Sequence, residues 1–166
     1  NDKIGFRGIA LFYINGFTIT GNTIAGVIIP SGFTSTASGI SLFSGVFNGT
    51  ISHNKISDIK QQDSGGWGSN GIFLGTENAA AINIHNNFIW DVSSVGFGGV
   101  DESDNGYGMM VYTGSGYNIY YNSISMATSE TNSSSITAAI KMSTFISAIN
   151  GLHILISILS MRRLLG

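Results

Sequence analysis

Ile84-His85-Asn86-Asn87-Phe88-Ile89 is one of four versions of a single phrase, and its recurrence decides the fold. The others are Ile19-Thr20-Gly21-Asn22-Thr23-Ile24, Ile51-Ser52-His53-Asn54-Lys55-Ile56 and Ile119-Tyr120-Tyr121-Asn122-Ser123-Ile124. Their fourth residues, Asn22, Asn54, Asn87 and Asn122, are 32, 33 and 35 positions apart. A repeat of that period implies stacked coils, each burying its apolar face against the next, and not a closed globule. A side-chain amide both donates and accepts, so asparagines stacked on successive coils can hydrogen-bond to one another as an interior ladder. Asn also tolerates the left-handed backbone of a tight corner. Both properties give these four residues a structural role.

A second column keeps the same order. Gly8-Ile9-Ala10-Leu11-Phe12, Gly39-Ile40-Ser41-Leu42-Phe43, Gly71-Ile72-Phe73-Leu74-Gly75, Gly108-Met109-Met110-Val111-Tyr112 and Ala139-Ile140-Lys141-Met142-Ser143 each start small and then alternate with period two, as strands do. The inward pairs are Ile9/Leu11, Ile40/Leu42, Ile72/Leu74, Met109/Val111 and Ile140/Met142. Together the columns predict an all-β parallel β-helix of about five coils of 31–37 residues. Each coil has three strands: this one, a second ending at the ladder Asn, and a third after it (Thr23–Val27, Lys55–Ile59, Phe88–Val92, Ser123–Met126). Long Gly/Ser-rich loops on one side, Ile28–Ser38, Lys60–Asn70, Ser93–Tyr107 and Ala127–Ser135, close the turns. Regular coils fill 8–145 of a single domain, 1–166. With strands about 4.8 Å apart, five coils make a rod of roughly 24 Å.

The pattern breaks where a fifth phrase is due, because His153-Ile154-Leu155-Ile156-Ser157-Ile158-Leu159 contains no Asn. A divergent or helical cap over 146–166 accounts for this, and so does a change of reading frame. The chain starts without Met and enters coil sequence at once. A fragment of a longer protein is therefore expected, with further β-helix coils of the parent chain beside it.

Composition excludes several classes. A hydrophobic fraction of 43% argues against disorder, despite 23 glycines and only 10% charged residues. Net charge is −2 and no basic cluster precedes Arg162-Arg163, so there is no footprint for nucleic acid. Without cysteine there are no disulfides and no thiolate metal sites. The apolar tail Leu152–Leu165 is too short and too interrupted for a membrane span.

The Ile-x-x-Asn-x-Ile phrase and the Gly-Ile-x-Leu strands, over residues 8–145, resemble the right-handed parallel β-helix repeat of pectate-lyase-like proteins. The nearest likeness is to repeat regions of large secreted or surface-attached bacterial proteins, which implies an extracellular or cell-surface location. The resemblance leaves activity open, since relatives include polysaccharide lyases, glycoside hydrolases, phage tailspikes and adhesins. In the enzymes it resembles, carboxylates or basic residues on the outer face of the first strand do the chemistry. Here that face presents Ala10, Phe12, Ser41, Phe43, Phe73, Gly75, Met110, Tyr112, Lys141 and Ser143. Glycoside hydrolysis commonly needs two carboxyl groups, and a lyase needs a base plus charge neutralisation. No catalytic residue is assigned. The leading expectation is a non-catalytic segment serving as a rigid stalk or a polysaccharide-contacting surface. The alternative is part of a polysaccharide lyase or glycoside hydrolase whose catalytic residues lie in other coils.

Phe12, Phe43, Phe73 and Tyr112 could form a ribbon on which sugar rings stack, with Trp67, Trp90 and Tyr107 at the loop edge. Against this, an apolar strip is costly to expose, and neighbouring loops could cover it as a second core. Calcium is the candidate cofactor. In Asp101-Glu102-Ser103-Asp104-Asn105-Gly106, the side chains of Asp101, Ser103 and Asn105 are spaced like the start of an EF-hand loop, although Tyr112 stands where its final Glu belongs. Asp58 and Asp91 each follow a ladder Asn by four residues and would repel on adjacent coils unless a cation or hydrogen bond intervenes. Capping of a turn by each carboxylate is the alternative. His53 and His85 are one register position apart and read as exposed corner residues. Asn48-Gly49-Thr50 and Asn132-Ser133-Ser134 are formal glycosylation sequons.

Overall fold

Alternating apolar and polar residues give short strands, and residues with positive φ turn the chain between them. The computed structural model describes residues 5–77, 79–95, 105–127 and 137–143, with the backbone of 153–156. The first coil contains β1 (Arg7–Leu11), β2 (Asn15–Thr20), β3 (Thr23–Ile24) and β4 (Val27–Ile29). The second repeats it as β5 (Ala37–Leu42), β6 (Phe47–Ser52), β7 (Lys55–Ile56) and β8 (Ile59–Gln61). The third follows as β9 (Ser69–Gly75), β10 (Ile82–His85), β11 (Phe88–Trp90) and β12 (Val92–Ser94). Then come β13 (Gly106–Thr113), β14 (Tyr117–Ser125), β15 (Ala138–Met142) and β16 (His153–Ile156).

All pairings among these strands are parallel, and each joins one coil to the next. The sheets run β1-β5-β9-β13-β15, β2-β6-β10-β14 continuing back through β11-β7-β3, and β12-β8-β4. The protein is an all-β parallel solenoid of about four turns, where the sequence repeat predicted five. No helix occurs among the described residues, so none there is long and apolar enough to cross a membrane. Strand β16 pairs with β14, placing Ile154 opposite Ile119, so those four residues continue the stack and form no helical cap. The expected third strand is divided in two, because Gly26, Asp58 and Asp91 turn the backbone at φ 76, 53 and 52°.

Register stacks like on like inside. Ile19-Ile51-Ile84-Ile119 and Ile40-Ile72-Met109 form buried rows. Each such side chain stabilises the fold by about 1.5–3 kcal/mol through burial. The Gly column makes this packing possible. A Cβ at Gly39 would lie 2.5 Å from Ile56 Cγ2 and 2.6 Å from the Gly71 carbonyl oxygen, and Gly71 is equally confined. The first strand can approach the Ile24-Ile56-Ile89 row only where side chains are missing.

The asparagine ladder is continuous. The backbone N–H and Nδ2 of Asn22 both donate to Asn54 Oδ1 at 3.0 and 2.9 Å. Asn54 donates in the same way to Asn87 (3.1 and 2.9 Å), and Asn87 to Asn122 (3.0 and 2.9 Å). In addition, Nδ2 of Asn54, Asn87 and Asn122 donates back to the carbonyls of Ile19, Ile51 and Ile84. One expectation is corrected. The left-handed corner residues are the preceding ones, Gly21, His53, Asn86 and Tyr121, at φ 69, 55, 53 and 54°. Hydrogen bonding, and not torsional tolerance, selects the ladder asparagines.

Candidate functional site

On the first sheet an outward aromatic follows β1 and β5, and another stands near the end of β13. Phe12 and Phe43 follow the paired Leu11 and Leu42, so register alone places their rings together, stacked at 4.4 Å and 5°. The next coil has Gly75 in that row. The Phe73 ring leans across it, where a Cβ on Gly75 would meet Phe73 Cε1 at 2.6 Å. The leaning ring bridges to Phe43 at 5.6 Å and to Tyr112 at 5.5 Å. Phe12, Phe43, Phe73 and Tyr112 therefore form one continuous stack along the rod. Each ring pair contributes about 0.5–1.5 kcal/mol beyond area burial. Phe12 is 51% exposed, and the other three are half-buried, so the strip is neither fully open nor sealed. Arg7 places its guanidinium 5.0 Å from the Phe43 ring centre, adding a cation–π contact the sequence did not suggest.

The other three aromatic candidates lie elsewhere. Trp67 is exposed but lies before β9, beyond the left-handed turn at Gly68 and outside the strand that carries Phe73. Tyr107, expected at a loop edge, is 0% exposed at the start of β13 and presents no ring to a ligand. Trp90 lies on β11, stacked on Phe88 at 4.5 Å, away from the first sheet.

The loops leading into the first strand are pinned by Asp63. Its carboxylate accepts from the N–H of Gly32 at 2.6 Å and of Gly65 at 2.8 Å. These backbone donors, with Gly32 first, hold the carboxyl below the ordinary aspartate range. Beneath it, buried Gln61 donates Nε2 to the carbonyls of Phe33 and Ser35 and accepts the Asp63 N–H.

Asp58 and Asp91 do stack, and the intervening cation is part of the chain. Lys60 Nζ lies 2.7 Å from Asp58 Oδ1 and 3.1 Å from Asp91 Oδ2. Its pKa is raised, chiefly by the hydrogen bond to Asp58. Asp101 and Ser103 lie outside the described residues, and the buried Asn105 accepts the Ser69 N–H at its carbonyl. Among the described residues, no three His, Cys, Asp or Glu side chains gather as a metal site. His53 meets His85 edge-on at 5.8 Å, and His85 stacks on Tyr120 at 4.9 Å. The Asn48 sequon lies at a left-handed turn, and Asn132 lies outside the described residues.

No family model, curated protein or solved structure matches this chain. What the surface can bind follows from its own side chains. Of the seven aromatic candidates, only Phe12, Phe43, Phe73 and Tyr112 are brought together, along an axis that repeats with the coils.

Proposed function

We propose that this chain is a non-catalytic segment of an extracellular or cell-surface bacterial β-helix protein of the pectate-lyase-like kind. It acts as a rigid stalk that contacts polysaccharide through one flank. The observation that carries the reading is the four-ring stack Phe12-Phe43-Phe73-Tyr112 on the outside of the first sheet. Stacked on one another, the rings turn their edges outward as one apolar stripe repeated at the inter-coil spacing, which suits the apolar C–H face of an extended sugar chain lying along the rod. Rigidity has a separate support, the ladder of Asn22, Asn54, Asn87 and Asn122, which ties successive coils through buried hydrogen bonds.

The test is a binding assay of the 166-residue chain against a broad panel of soluble polysaccharides. Phe73→Ala and Tyr112→Ala should each weaken binding about five-fold or more, the equivalent of one lost aromatic contact. A wild-type chain that binds nothing across the panel removes the carbohydrate reading.

A further inference from the structure

Beside the corner that carries the aromatic stack, the outside of the second sheet holds an open groove of about 520 Å³. Two rows border it. Gly16, Asn48 and Ala81 turn the chain into the second strand at φ 80, 56 and 51°. Thr18, Thr50 and Asn83 stand in register on β2, β6 and β10, at positions that alternate with the buried Ile19, Ile51 and Ile84 and so face outward.

The polar groups of the groove are partly committed and partly open. Asn118 Nδ2 donates to Asn83 Oδ1 at 3.0 Å, and the Asn83 amide N–H groups make no hydrogen bond among the described residues. Asn48 Nδ2 donates to Asn15 Oδ1 at 2.9 Å, which leaves Asn48 Oδ1 as an acceptor. The hydroxyls of Thr18 and Thr50 make no hydrogen bond among the described residues. Three coils thus offer hydroxyl, hydroxyl and amide groups about 4.8 Å apart along the rod. The groove is shallow and open to solvent, its lining is mostly polar, and no charged side chain lines it.

We infer that this groove is a second glycan subsite, selective for an uncharged oligosaccharide. Hydroxyls and primary amides both donate and accept, matching the dual character of sugar hydroxyls. A uronate would bring a carboxylate to a surface with no cation to meet it. The ligand class rests on the polysaccharide reading above, but the residues are independent of the aromatic strip. The Thr18-Thr50-Asn83 row lies on the second sheet, and the rings lie on the first.

The test is calorimetric titration of the 166-residue chain with cellohexaose, maltohexaose and the hexamer of galacturonic acid. At least one glucose hexamer should bind, and the galacturonate hexamer should not. The isosteric double variant Thr18→Val/Thr50→Val should weaken glucan binding about ten-fold, as loss of two hydrogen bonds does. Thr50→Lys should block the groove by bulk, while Thr23→Val, outside it, should change nothing. Melting temperatures matching wild type establish that each variant is folded. If both groove variants bind normally while Phe73→Ala and Tyr112→Ala do not, the groove is overturned and the strip stands. If binding is lost only in the groove variants, the strip is overturned and the groove stands. Equal, groove-dependent binding of galacturonate overturns the selectivity, and no binding of any hexamer overturns the subsite.

Discussion

At one corner of every coil, the ladder column Asn22, Asn54, Asn87 and Asn122 runs beside a column one residue earlier. That neighbour reads Gly21, His53, Asn86 and Tyr121. The first is uniform and the second holds four different residues, although all four adopt positive φ. The difference lies in what each position must satisfy. A ladder residue faces the interior, where each interior amide accepts from the coil before and donates to the coil after, and an unpaired buried polar group costs about 1–3 kcal/mol. The residue before it turns outward and needs only a left-handed backbone, which costs a non-glycine side chain about 1–2 kcal/mol. Only Asn meets the first demand, whereas glycine, histidine and tyrosine can all meet the second. The divided third strand repeats the lesson with Gly26, Asp58 and Asp91.

The comparison can be broken by mutating neighbours. Asn87→Ala removes the acceptor for two Asn54 donors and the donor to Asn122 and Ile51. It should cost about 4 kcal/mol in urea unfolding, the sum of two or three orphaned buried groups. A loss below about 1 kcal/mol would mean that water replaces the ladder amide, and the contrast would collapse. Asn86→Ala alters a left-handed surface residue and one exposed contact to His85 Nδ1 at 3.1 Å, and should cost about 1 kcal/mol or less. If it matches Asn87→Ala, torsion and not hydrogen bonding governs the corner.

The smallest effect sharpens the contrast between interior and loop. Asp63 has its carboxyl depressed by backbone donors, so its loop bonds stabilise the fold above the ordinary aspartate pKa. That contribution is lost as pH falls through the lower, folded-state value. Followed by NMR, the Gly32 and Gly65 amide resonances should shift together below about pH 4, while the Asn54 and Asn87 amides stay fixed. In Asp63→Asn the acid step should vanish. An Asp63 titration at or above the ordinary value would undo the assignment.

Much of this was legible because a solenoid writes its contacts into the sequence at one period. The inward Ile rows, the ladder and the Phe12/Phe43 pair all follow from register alone. Phe73 belongs to the aromatic row only because Gly75 leaves space for its ring, a fact of side-chain reach that spacing does not encode. Lys60 bridges Asp58 and Asp91 because left-handed turns at both aspartates place carboxylates from adjacent coils around one ammonium. The burial of Tyr107 follows from alternation carried back past Gly108, since Tyr107 shares a face with the inward Met109 and Val111.

How the chain winds can be read from the order of its residues: a parallel stack, its period, its inward rows and its column of amides. These depend on interactions between equivalent positions of successive coils, and equivalence is visible as repetition. Tertiary structure decided what the exterior offers. It divided the third strand, assigned the left-handed corners to the residues before the ladder, and separated Trp67 and Trp90 from the aromatic strip. It also opened the groove between the Gly16-Asn48-Ala81 and Thr18-Thr50-Asn83 rows. Exterior geometry depends on turn angles and side-chain reach, which vary from coil to coil and leave no period to read.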